Sequence, residues 1–119
     1  MLWHSIASWQ IKNKIKGEKI MKVSNMESSN GKPVANQFII TDEGRGALGN
    51  FKTRHTFQSY KSVIAIITHW DDISKVEIDR NKWDFSVTTG KYRNQFLGET
   101  KKETQAKIDS GEYILTDLN

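Results

Sequence analysis

Between Val34 and Arg80, apolar and polar positions alternate in short runs broken by turn residues, a period that favours strands over helices. Val34 to Thr41 reads as a strand rich in β-formers at Phe38, Ile39 and Ile40. In Phe51 to Tyr60, residues Phe51, Thr53, His55 and Phe57 share one face, and Lys52, Arg54, Thr56 and Gln58 share the other. Val63 to Thr68 is the most apolar run and predicts a central strand buried on both sides. A helical turn around Tyr60 to Ala65 is the competing reading, because short apolar runs fit both periods. Lys75 to Arg80 sets Val76 and Ile78 against Glu77 and Asp79, as in a half-exposed strand. Ser28, Ser29, Asn30, Gly31 and Pro33 form a turn cluster, and His69 to Asp72 a loop. Together these segments predict an antiparallel meander.

Beyond Trp83 the pattern changes. The stretch W-D-F-S-V-T-T-G-K-Y-R-N-Q-F-L, Trp83 to Leu97, reads as an extended segment running into a helix. Asp84, Ser86, Thr88 and Thr89 are all N-cap types, Phe96 and Leu97 supply an apolar face, and Gly98 is a natural stop. Thr100 to Ser110 predicts a second helix, opened by a capping box between Thr100 and Glu103 and closed at Gly111. Glu112 to Leu118, with Tyr113, Ile114 and Leu115, predicts a final strand. The expected fold class is α+β: a small antiparallel sheet (meander) with two short helices before the last strand.

Composition narrows the chemistry. The 119 residues suit one domain, and none is a cysteine, which removes disulfides and thiolate chemistry. No apolar run reaches membrane-spanning length, so no membrane partner is expected. The chain carries a net charge of +4, but four lysines against one glutamate give residues 1–20 a charge of +3 and leave +1 for residues 21–119. Residues 1–20 therefore read as an N-terminal extension to a single domain at 21–119. A basic amphipathic arm, an added helix and a translated leader upstream of Met21 are the three readings of that extension.

Several sites fail on their residue types. Gly44, Gly46 and Gly49 surround Arg45 in G-R-G-A-L-G, but the lysine and hydroxyl of a phosphate-binding loop are missing, and a flexible hairpin connection is expected. His69, Asp71 and Asp72 are the tightest set of metal-ligand types, and a solvated acidic turn explains them as well. Glu77 and Asp79 project like half of a nuclease pair without the lysine that should follow. No catalytic constellation emerges, so the chain is read as non-enzymatic, with no cofactor and no metal.

Binding is the remaining class. Trp83, Lys91, Tyr92, Arg93 and Asn94 combine the residue types that anchor protein interfaces, at a helix start suited to anions. The same cations with Lys101 and Lys102 support a nucleic-acid alternative, in which Asn94 reads a base and Tyr92 stacks. Plain packing competes with both: Tyr92 and Phe96 at i, i+4 in a core, and Trp83 with Phe85 on one inward face.

At Phe57 to Tyr60, at Trp83 to Glu99 and at S-G-E-Y-I-L-T-D-L, the chain resembles a family of small proteins of phages and mobile elements in low-GC Gram-positive bacteria. The resemblance covers about residues 21–119. It implies no established activity and no catalytic residues. It implies a phage origin and, by association, an inhibitor of a host or antiviral-defence protein, such as an anti-CRISPR protein, acting in the host cytoplasm.

Overall fold

The structure is a computed structural model and describes residues 20–44 and 51–119. The glycine-rich stretch 45–50 and the 1–19 part of the N-terminal extension lie outside the described residues. Five strands follow one another as β1 (Ile20–Glu27), β2 (Pro33–Glu43), β3 (Thr53–Ser59), β4 (Ser62–His69) and β5 (Ser74–Asp79). Two helices, α1 (Val87–Leu97) and α2 (Lys101–Asp109), come after β5, and a short β6 (Ile114–Thr116) follows them. The fold is α+β, with a mixed, mostly antiparallel sheet in the order β1-β2-β3-β4-β5-β6.

Strands β1 to β5 form the antiparallel meander. The run at Val63 to Thr68 is strand rather than helical turn, because β-branched residues on a pleated surface pack between two neighbours. Two elements depart from the expectation. β1 exists although Lys22, Ser24 and Asn25 make its sequence polar; it is an edge strand, and of residues 21–27 it buries Met26 alone. β6 runs parallel to β5, pairing Glu77 with Ile114 and Asp79 with Thr116, so the sheet is not purely antiparallel. The two helices supply the long crossover that a parallel pair requires.

The core lies where the helices cover the sheet. Met26, Phe57, Ile64 and Tyr92 form one buried cluster, and Ala65, Ile78 and Tyr113 the other. The β3–β4 register slips between Phe57 and Gln58, leaving Ile64 as an extra residue on β4. The slip turns both Ile64 and Ala65 toward the helices, and both are fully buried. Asn119 fastens to the same place: its amide donates to Val63 O (2.8 Å) and accepts from Val63 N (2.7 Å). The opposite face pairs Val23, Ile40, Thr56 and Ile66 in one row across four strands.

Candidate functional site

Strand β5 ends on Asp79, whose buried carboxylate shapes everything that follows. Its Oδ2 accepts from the backbone N–H of Asn81 (3.1 Å) and Lys82 (2.8 Å), and its Oδ1 from that of Leu118 (2.8 Å). The chain from Arg80 to Ser86 is consequently a run of turns and bends, not the extended segment expected there. Ser86 then caps α1, accepting from Thr89 N at 3.1 Å. Thr89 Oγ1 lies 2.9 Å from Ser59 Oγ and ties the helix start to β3. Gly98, in the left-handed region at φ 68°, ends the helix as the sequence predicts.

The inward face of α1 is Thr89, Tyr92, Arg93 and Phe96. Tyr92 is buried in the first core cluster, and Phe96 lies against Phe57 with ring centroids 5.7 Å apart. Arg93 is only 1% exposed. Its Nη1 donates to Trp83 O (2.6 Å) and Asp84 Oδ1 (3.3 Å), its Nη2 donates to Asn94 Oδ1 (2.9 Å), and its guanidinium sits 5.0 Å from the Trp83 ring. Trp83 is half-buried and packs against both core clusters. Of the five residues read as partner contacts, Tyr92 and Arg93 present almost no surface, and Trp83 packs half-buried against them. Arginine and tryptophan anchor interfaces and interiors alike, so residue type alone does not separate the two roles.

Lys91 and Asn94 remain at the surface, Lys91 exposed and Asn94 half-buried. They line a cleft of about 610 Å³ with Asp84, Phe85, Val87 and Lys101, and with Gly90 and Arg93 at its inner side. Lys101 Nζ lies 2.6 Å from Asp84 Oδ2. The hydrogen bond from Lys101, with Arg93 adding to it against a burial penalty, holds the Asp84 carboxyl below the usual range. The packing reading sets Phe85 inward beside Trp83. It points outward instead, 47% exposed with Lys82 Nζ 5.4 Å from its ring, and Val87 is 92% exposed. The backbone N–H groups of Val87 and Thr88 have no partner among the described residues, and no acidic residue stands in the first turn.

A second polar cluster braces the far end of α1. Glu99 accepts from Thr104 Oγ1 (2.6 Å), Lys107 Nζ (2.7 Å) and Tyr113 Oη (2.9 Å). Burial disfavours its charge, but these donors outweigh burial and hold the carboxyl below its ordinary value. Nothing in the local sequence around Glu99 signals this role, since its partners lie up to 14 positions away.

The other candidate sites dissolve into local contacts. His69 Nδ1 is 2.7 Å from Ser74 Oγ and its ring stands edge-on to His55, while Asp71 and Asp72 are exposed. Among the described residues no three His, Asp or Glu side chains stand close enough to share a metal ion. Asp79, half of the imagined nuclease pair, is committed to backbone N–H groups. No helix of the described residues is long and apolar enough to cross a membrane.

No curated protein and no solved structure matches the chain. Residues 21–112, which hold both helices and, but for Ile20, strands β1 to β5, match a family of unknown function (DUF8033), and the chain belongs to that family.

Proposed function

We propose that this chain is a non-enzymatic binding protein that docks a protein partner in the cleft at the start of α1. The observation that carries this reading is one of exposure. Phe85, on a turn fixed from below by Trp83, Arg93 and Asp79, and Val87, the first residue of α1, stand in solvent beside Lys91 and Lys101. Exposed apolar side chains on a rigid frame bind at low entropic cost. Lys91 and Asn94 keep the contact role assigned from the sequence, while Trp83, Tyr92 and Arg93 act beneath it. By occupying a functional surface of a host or antiviral-defence protein, such a domain inhibits it. The phage resemblance favours that outcome by association.

A tagged pull-down from host cells, with and without nuclease, tests the reading. A stoichiometric protein partner that survives nuclease and is lost with Lys91→Glu/Lys101→Glu is the expected result. The nucleic-acid alternative draws on the free N–H groups and cations at the same helix start. It predicts recovery that vanishes with nuclease and an affinity that falls steeply with salt.

A further inference from the structure

The charge of the cleft is lopsided. Among the described residues that line it, Lys91, Arg93 and Lys101 stand against one carboxylate, Asp84, and Lys82 lies over the Phe85 ring. Asp84 is shared between Arg93 and Lys101, which leaves positive charge uncompensated. Arg93 lines the cleft while nearly wholly buried, and its Nε is a buried donor with no hydrogen-bond partner. A buried donor in that state calls for a partner.

Gly90 supplies a second, independent observation. It lies inside α1, where glycine weakens a helix relative to alanine. Packing does not require it: a Cβ built there lies 3.6 Å from both terminal guanidinium nitrogens of Arg93, an ordinary contact. Gly90 and Arg93 both line the cleft, so a side chain added at Gly90 would take space beside that cation.

We infer that the cleft receives a carboxylate from an acidic segment of the partner, with an apolar residue next to that carboxylate in sequence. The carboxylate meets Lys91, Lys101 and the free N–H groups of Val87 and Thr88, above the charge of Arg93. The apolar neighbour covers Phe85 and Val87. The apolar lip favours a peptide over a nucleic-acid backbone, as does a net charge of only +1 for residues 21–119. This deepens the protein-binding reading and rests on it.

The test selects short random peptides on the immobilised full chain, then measures the best of them against variants. Selected peptides should pair Asp or Glu with Phe, Leu or Trp. The double variant Lys91→Glu/Lys101→Glu should weaken them by at least about tenfold. Gly90→Ala should weaken them several-fold with no fall in Tm, which separates loss of the site from loss of the fold. Neutral or basic selected peptides, affinity untouched by the double variant, equal competition by inorganic phosphate or an oligonucleotide, or no enrichment at all would each overturn the inference. If the double variant still captures the cellular protein partner, the inference fails and the protein-binding reading stands. If no protein partner exists, both fail.

Discussion

Arg93 has the most to lose of any single side chain. Its guanidinium is desolvated, it satisfies a backbone carbonyl and two side chains, and it lies over Trp83. Removing it takes the donor from the Trp83 carbonyl and from Asn94 Oδ1, while Asp84 keeps Lys101, and leaves a cavity under Trp83, so Arg93→Ala should destabilise the fold by about 3 kcal/mol, read by urea denaturation. Arg93→Lys should recover only part of this, because an ammonium cannot span the same three acceptors. A stability loss under about 1 kcal/mol would refute the framing role. Tyr60 offers the opposite case. It sits at φ 56° in the two-residue β3–β4 turn, and its side chain is 48% exposed. Tyr60→Asn should raise stability by roughly 1 kcal/mol, since asparagine tolerates the left-handed region better than a bulky residue. An unchanged or lower Tm would show that the ring makes contacts worth more than the strain. Neither residue was legible as structural from the sequence. A hydrophobic pattern counts apolar positions, and it gives a buried arginine no weight.

Among the elements, the helices were the most legible parts, because capping is local. Ser86, Gly98, the Thr100–Glu103 box and Gly111 all do what their types and spacing predict. The inward face of α1 was less so, since Thr89 and Arg93 occupy half of it. The contacts that join the elements are non-local. Glu99 joins the start and end of α2 to Tyr113, and its proton affinity is lowered in the fold. Glu103 and Asp84 are shifted the same way, Glu103 by the Thr100 backbone N–H and hydroxyl, Asp84 by Lys101 and Arg93. Below the ordinary glutamate value of 4.5 the unfolded chain therefore binds more protons than the folded one. Stability from these groups is full above that pH and drains away as pH falls through the lowered folded values. Glu99→Gln should lower stability at neutral pH and flatten the acid limb of a stability–pH profile measured by urea midpoints. An unaltered acid limb would assign the acid sensitivity elsewhere.

For the molecule as a whole, the meander was readable because each strand carries its own alternation and the turns carry Gly, Pro, Asn and Ser. The parallel β6 was not readable: three residues give no period, and their direction is set by the crossover through both helices. The polar edge strand β1 owes its existence to pairing with β2 rather than to its own sequence. The candidate site shows the same division. Its position was visible in the density of aromatics and cations after Trp83. Which side chains face out was not, because the turn around Asp79 exchanges the expected roles of Phe85 and Arg93. Hydroxyl-radical footprinting of the chain, free and with its captured partner, tests that outward surface most directly, with Met21 on β1 and Ile73 in the β4–β5 turn as exposed controls. Oxidation of Phe85 should fall on binding while Met21 and Ile73 keep theirs. Unchanged oxidation of Phe85, with protection at Met21 or Ile73, would contradict the docking role of the cleft.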